Sequence, residues 1–279
     1  MKLIKKRYII LFTFLLMIIL IAIFGTSQDL QIRHYSESTK KVSETIKIAV
    51  ITDLHNTTYG EHQAELISAT KEQNPDFICF VGDLINSIKH IDEAIDLISS
   101  LTKSYPCYYV SGNHEYWSEN CDNFKGLLRS YGVNVLEGTK KSIKVRGQNL
   151  QICGVDDPEV LYEPMKGYKG WNEQLERCNK ETGEVYSILL SHRPEKVEDY
   201  NKCNFDLILC GHAHGGQFRI PWLMNGLYAP DQGFFPKFAG GEYKLSDSMM
   251  IVSRGLIKNH IPRVFNRPEL VIVDICPDE

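Results

Sequence analysis

Two histidines one residue apart, His212 and His214, follow the apolar run Leu207-Ile208-Leu209-Cys210 and a glycine, and Gly215 and Gly216 come next. A short buried strand that ends this way delivers two imidazoles to one point at a sheet edge, on backbone that glycine lets turn tightly. Neutral imidazole is the commonest protein metal ligand. Four other strand-like runs end in the same kind of residue. Residues 46–52 lead to Asp53-Leu54-His55, and Phe77–Val81 leads to Gly82-Asp83. Cys107–Val110 leads to Ser111-Gly112-Asn113-His114-Glu115, and residues 185–190 lead to Ser191-His192. The chain has nine histidines, and five of them stand at these ends, which chance placement would not produce.

Asp53, His55, Asp83, Asn113, His114, His192, His212 and His214 offer two carboxylates, one amide oxygen and four or five imidazoles, a mixed oxygen and nitrogen donor set without thiolate. Such a set suits Mn²⁺, Fe or Zn²⁺, with Mg²⁺ admissible, better than Ca²⁺ or a cluster. Seven ligands are too many for one ion. With one carboxylate shared they serve two divalent metal ions, and metals roughly 3.5–4 Å apart lower the pKa of a bridging water and clamp an in-line phosphoryl displacement. Each residue alone has a plainer use. Asp53 and Asp83 could cap helices, Asn113 could supply a left-handed turn, and His114 could be a hydrogen-bonded loop residue. The conjunction favours the metal reading, whereas His34, His62, His90 and His260 read as surface or tether residues.

The elements needed to position these ends describe an α/β protein with ligands at the carboxyl ends of its strands. Helical stretches are expected at 61–71, stopped by Asn74-Pro75, and at 90–103, where Ile91, Ala94, Ile95, Ile98 and Leu101 make a stripe for core packing. Further helices are expected at 121–131, 171–180 and 194–201, the last with proline in its first turn. Residues 143–145 and 150–153 read as a hairpin, and strands near 242–245, 249–253 and 270–275 make the C-terminal part mostly β.

Taken in order, Asp-x-His, Gly-Asp, Gly-Asn-His-Glu, a lone histidine after a strand, and Gly-His-x-His resemble the calcineurin-like metallophosphoesterase family, over residues 46–275. The resemblance implies two packed mixed β-sheets flanked by helices, and hydrolysis of phosphoric esters by a metal-bridging hydroxide. It also implies roles. Asp53, His55 and His214 would hold one ion, Asn113, His192 and His212 the other, and Asp83 would bridge them. His114 would stand near the leaving group, protonating the departing oxygen or stabilising charge. Glu115 and Asp156 are expected to orient the imidazoles from behind.

The Gly-His-Ala-His-Gly-Gly-Gln ending and an N-terminal apolar segment further resemble the membrane-associated bacterial branch, some members of which hydrolyse the pyrophosphate of UDP-diacylglucosamine. A phosphodiester or pyrophosphate substrate is therefore expected, lipid-linked or a nucleotide sugar. A phosphomonoesterase of broad specificity and a non-catalytic membrane-bound scaffold are the alternatives. Scaffolds usually lose ligands, and none is missing here. A metallo-β-lactamase-like hydrolase would want His-x-His-x-Asp-His, and Gly215-Gly216 breaks that pattern. Arg193 and Arg219 are candidates to read a phosphate through the planar guanidinium. Pro221-Trp222-Leu223-Met224, Tyr228, Phe234-Phe235 and Phe238 pack a loop or form an apolar patch for a bilayer or acyl chain.

Residues 1–28 read as a membrane anchor, 29–44 as a polar tether and 45–279 as the catalytic domain. Lys2, Lys5, Lys6 and Arg7 precede a stretch without charge until Asp29. That stretch reaches roughly 31 Å as a helix, about one hydrocarbon core. It exceeds the usual apolar core of a cleaved signal peptide, so an uncleaved single-pass anchor in the cell membrane is expected. The basic cluster places the N-terminus inside and the catalytic domain outside. A net charge of −4 excludes nucleic acid as the main partner. Eight cysteines, most in apolar runs and none spaced Cys-x-x-Cys, read as buried thiols. Disulfides Cys107–Cys121 or Cys178–Cys203 are the oxidising alternative.

Overall fold

The computed structural model describes residues 2–87, 91–118, 120–159, 170–179, 184–258 and 263–278. The expected places of His90, Lys180 and His260 lie outside them. An N-terminal helix, α1 (Lys2–Gly25), is followed by strand β1 (Gln31–Thr39) and β2 (Ile46–Ile51). Then come α2 (Ala64–Glu72), β3 (Phe77–Val81), α3 (Asp92–Leu101), β4 (Cys107–Val110), the short α4 (Asn113–Trp117) and α5 (Cys121–Ser130). β5 (Asn134–Val135), β6 (Thr139–Val145) and β7 (Gln148–Gly154) precede α6 (Trp171–Asn179) and β8 (Tyr186–Leu190). α7 (Val197–Tyr200), β9 (Leu207–Cys210), a small hairpin of β10 (Tyr228–Ala229) and β11 (Gly233–Phe234), β12 (Gly241–Lys244), β13 (Met249–Val252) and β14 (Glu269–Pro277) complete the chain.

The strands form two six-stranded mixed sheets, ordered β1-β14-β2-β3-β4-β5 and β12-β13-β9-β8-β7-β6. Period-2 alternation explains how they stack. Ile48 and Val50 of β2, with Phe77, Cys79 and Val81 of β3, face a shared core with Ile188 and Leu190 of β8 and Leu207 and Leu209 of β9. The intervening Ala49, Ile51, Ile78 and Phe80 face outward onto Leu66 of α2, Leu97, Ile98 and Leu101 of α3 and Phe124 of α5. On the other sheet, Leu189, Ile208 and Cys210 pack under Trp171 and Leu175 of α6. Each fully buried Ile, Leu, Val or Phe contributes about 1.5–3 kcal/mol, so this alternation fixes the register of every strand that ends at the site.

Two expectations change. Residues 29–44 are not only a tether: β1 pairs in parallel with β14 from Gln31↔Glu269 to Thr39↔Pro277. The segment looks polar because β1 is an edge strand, with Ile32 and Tyr35 packed against the two cores and His34, Ser36 and Ser38 turned to solvent. α1 is helical, but among the described residues no helix is long and apolar enough to cross a membrane. The expected transmembrane segment is therefore observed as a helix only. All eight cysteines are free thiols, six of them buried.

Candidate metal centre

The parallel strands β2, β3 and β4 of one sheet and β8 and β9 of the other deliver their carboxyl ends to one place. The loops that leave them are held in costly backbone conformations. Asp53 (φ 52°), His55 (φ 50°), Asp83 (φ 54°), His212 (φ 66°) and His214 (φ 47°) all sit in the left-handed region, which costs of the order of 1–3 kcal/mol each. Backbone bonds between the loops hold them there: Asp53 N–H to Gly82 O at 3.1 Å, His55 N–H to Asp83 O at 3.1 Å, and Gly211 N–H to His192 O at 3.1 Å. Two glycines allow the close approach. A Cβ at Gly112 would lie 2.2 Å from Asp83 Oδ1, and one at Gly211 would lie 2.2 Å from Thr52 Oγ1 and 2.6 Å from Asp53 Oδ2.

Six of the seven expected ligands converge in two groups, and the seventh, Asn113, lines the same cavity as Asp83, His212 and His214. Asp53, His55 and His214 bring one donor atom each within 4.8 Å of the others, and so do Asp83, His192 and His212. His55 Nε2 stands 3.8 Å from Asp53 Oδ1 and 3.6 Å from Asp83 Oδ2. His192 Nε2 stands 3.1 Å from Asp83 Oδ2, and His214 Nδ1 3.8 Å from Asp53 Oδ1. His114 joins this group, its ring 4.4 Å from that of His55 and 4.7 Å from that of Trp117. Its donor atom also lies within 4.8 Å of those of His55 and Asp83, so geometry alone admits it as a further ligand.

Whether these residues fit cations is tested by their unsatisfied atoms. His55 Nε2, Asp83 Oδ2, Asn113 Oδ1, His192 Nε2 and His214 Nδ1 are buried without a hydrogen-bond partner. Buried polar atoms are normally paired, so five orphans facing one another call for a missing partner. The imidazole tautomers identify its charge. His192 Nδ1 lies 2.7 Å from the carbonyl of Val81, which can only accept, so Nδ1 carries the hydrogen. Nε2 then faces the Asp83 carboxylate, an arrangement that calls for positive charge between them, a proton or a metal cation. Burial acts to lower His192, but the Asp83 carboxylate outweighs it and raises the imidazole to about 10, so without a metal a proton takes that place. Burial lowers the His114 imidazole to about 4, against the pull of Asp83. The donor set fits divalent cations.

The supporting residues differ from those expected. Glu115 touches no imidazole. Its carboxylate accepts the backbone N–H groups of Asp83 (2.9 Å), Leu84 (2.7 Å), Ile85 (3.2 Å) and Gly112 (2.7 Å), tying the loop after β3 to the loop after β4. Asp156 accepts from Ser111 Oγ at 2.7 Å and from the buried Lys125 Nζ at 2.6 Å, bracing β4 from behind. A carboxylate fully shielded from water takes the strongest donors near it, here backbone amides and an ammonium. Asn86 does what was expected of them, its Oδ1 lying 2.6 Å from His55 Nδ1. The fully buried Arg263 donates to the carbonyls of Arg254 (2.6 Å) and Ile257 (2.9 Å), and Asn266 donates to that of His214 at 2.7 Å.

The two arginines part company. Arg193 is buried beside the centre, its Nε and Nη2 donating to the Asp157 carboxylate at 2.6 and 2.9 Å and its Nη1 to Asp231. Asp231 Oδ2 also meets His212 Nε2 at 2.8 Å. Arg193, Asp231, His114, Trp117 and Tyr228 wall a cavity of about 350 Å³ over Asp83, Asn113, His212 and His214. Arg219 lines a separate cavity. Asp157, Asp231, Asn86, Arg263 and Asn266 carry no motif around them, and nothing in the sequence singles them out.

The model of the family described as calcineurin-like phosphoesterase matches residues 46–216, from the start of β2 through the histidine loop. The chain belongs to this family. It is a metal-dependent phosphoester hydrolase. The phosphoesterase is 29% identical to an uncharacterized metallophosphoesterase of Aquifex aeolicus, over 88% of this chain and 92% of that one. It is 25% identical to the phosphodiesterase YaeI of Escherichia coli, over 88% and 87%. F40B5.2 of Caenorhabditis elegans, a metallophosphoesterase by name, is 28% identical over 84% of this chain, which spans 49% of that relative's length.

Proposed function

We propose that this phosphoesterase hydrolyses a phosphodiester or pyrophosphate bond with two divalent cations. Asp53, His55 and His214 hold one, Asn113, His192 and His212 the other, and Asp83 lies between. The observation that carries the reading is the set of five buried donor atoms without partners, all drawn from these seven residues. When bound, the cations would supply Lewis acidity, making water nucleophilic near neutral pH and offsetting charge on the phosphoryl oxygens. The chain's own residues do the rest. Asp83 and Asn113 fix where the phosphorus must sit. His114, on the cavity wall opposite the imidazole pair, offers its ring N–H to the departing oxygen. Arg193, saturated by Asp157 and Asp231, positions His212 rather than reading the substrate.

The substrate is a diester or pyrophosphate with an apolar portion. Tyr228 lines the cavity and stacks edge-on against Phe234 at 5.3 Å, and Phe234 and Phe235 are 72% and 70% exposed beside it. The N-terminal segment is read as a single-pass anchor in the cell membrane, N-terminus inside, with the catalytic domain extracytoplasmic. What supports this reading is the sequence alone, in which Lys2, Lys5, Lys6 and Arg7 precede a stretch without charge until Asp29.

The test is turnover of a chromogenic bis-ester, a monoester and UDP-sugar lipids by the metal-reconstituted chain, before and after chelation, with Asp83→Asn as blank. Chelation should abolish hydrolysis and Mn²⁺ or Zn²⁺ restore it. Hydrolysis that survives chelation, or that Asp83→Asn retains, would overturn the metal assignment. Monoester turnover exceeding that of both other classes would overturn the diester assignment.

A further inference from the structure

A second cavity, of about 700 Å³, shares no lining residue with the metal centre. Four arginines line it: Arg33 from β1, Arg219, Arg254 and Arg267. Their counter-charges are few. The buried Glu269 carboxylate lies 3.4 Å from Arg254 Nε and 3.9 Å from Arg33 Nε, and the exposed Asp29 carboxylate lies 3.9 Å from Arg267 Nη2. Arg267 otherwise donates to the carbonyls of Asp29 and Leu30, and Arg219 to Asn225 Oδ1 and the carbonyl of Gly215. Neither of these pairs neutralises a cation. Arg33 Nε and Arg254 Nε are buried without a hydrogen-bond partner. Burial, and after it the charge of Arg254, depresses Arg219 to about 10.

The rim of this cavity is apolar. Ile220 N–H and Met224 O close a tight turn at 3.0 Å, with Leu223 N–H on Ile220 O at 3.0 Å. Trp222 and Leu223 stand at its tip, 105% and 80% exposed. Trp222 is held at φ 64°, a conformation rare for a bulky side chain, so the indole is kept in water against both its hydrophobicity and its backbone preference. The cavity also marks where α1 leaves the domain. Phe265 lines it and donates its N–H to Gly25 O, the last residue of α1, at 2.6 Å.

We propose that this cavity receives the phosphate headgroups of anionic phospholipids while Trp222 and Leu223 enter the bilayer beside them. The inference rests on the reading of α1 as a membrane anchor, which sets the cavity at headgroup depth. Guanidinium groups pair with phosphate through two parallel hydrogen bonds, and tryptophan favours the membrane–water interface. Anionic lipid in the facing, outer leaflet would attract such a basic cluster within a Debye length of the surface. The indole that is bare in water is then buried, and four arginines that share, among the described residues, only the Glu269 and Asp29 carboxylates gain counter-charges.

The full chain is reconstituted in phosphatidylcholine vesicles with and without phosphatidylglycerol, both containing lipid brominated near the headgroup. Tryptophan quenching is read for the wild type, Trp222→Phe, and Arg33→Gln with Arg267→Gln. Alkaline carbonate extraction reads the anchor separately. We expect a quenched component that grows severalfold with phosphatidylglycerol, disappears in Trp222→Phe and falls to the phosphatidylcholine level in the arginine variant. Bis-ester hydrolysis by all three chains in detergent should be equal, which controls for folding. Equal quenching with and without Trp222 in a chain that resists extraction would overturn the docking while leaving the anchor standing. Extraction by carbonate would overturn the anchor and, with it, this placement of the cavity. A quenching that ignores phosphatidylglycerol but follows added inorganic phosphate would assign the arginines to a soluble ligand and overturn the proposal.

Discussion

His192 Nε2 and Asp83 Oδ2 face each other at 3.1 Å with neither atom hydrogen-bonded, because the other imidazole nitrogen already donates to the carbonyl of Val81. An imidazole nitrogen and a carboxylate tolerate that separation only with positive charge between them, a proton or a metal cation. Asp83→Asn removes half of the charge that recruits cations to the centre. Turnover of a bis-ester should fall by more than about 10²-fold, with thermal unfolding little changed. Metal content by mass spectrometry should drop below that of the wild type. Wild-type activity in this variant would remove Asp83 from the centre.

His114→Ala should separate a proton donor from a ligand. Loss of the ring N–H from the cavity wall should slow turnover by about 10²–10⁴-fold while the bound metal count stays at the wild-type value. Loss of metal would make His114 a ligand, the role that its distance to His55 and Asp83 also permits.

Asn86 holds His55 Nδ1 through its side-chain oxygen at 2.6 Å. Asn86→Ala frees the ring to rotate and should weaken metal affinity by about 10–100-fold. A chelator titration monitored by residual activity would show the shift. An unchanged midpoint would mean that packing alone orients His55.

Glu115 accepts four backbone N–H groups from two loops. Glu115→Gln turns one acceptor oxygen into a donor aimed at donors, leaving buried amides unpaired at about 1–3 kcal/mol each. The midpoint of urea unfolding should fall accordingly, and activity per folded molecule should fall with it as Asp83 shifts. Unchanged stability would show that the loops are held by the strands alone.

The metal ligands were legible because a strand end is a local event. An apolar run that ends in a donor, with glycine before it at Asp83, Asn113 and His212, can be read within ten residues, and five repetitions of that ending point to a shared centre. Its supports were not, because they act across the chain. Asn266 reaches the carbonyl of His214, Asp231 reaches His212, and Arg263 satisfies three carbonyls from inside the protein; each is chosen by closure of a loop on a distant partner. Glu115 and Asp156 read as partners of imidazoles because sequence shows that a carboxylate is near and not which donors it meets. Residues 31–39 read as a tether because an edge strand spends every other residue on water. Arg219 followed the histidine loop in sequence and yet faces another cavity.

β14 lies between β1 and β2, although it follows both far along the sequence. Until residues 269–277 leave the ribosome, β2 presents an open apolar edge and β1 has nothing to pair with. Assembly of the first sheet therefore waits for β14 to be made, and its long-range pairing predicts slow folding. A nascent chain stalled just short of β14 would carry unguarded strand edges prone to self-association.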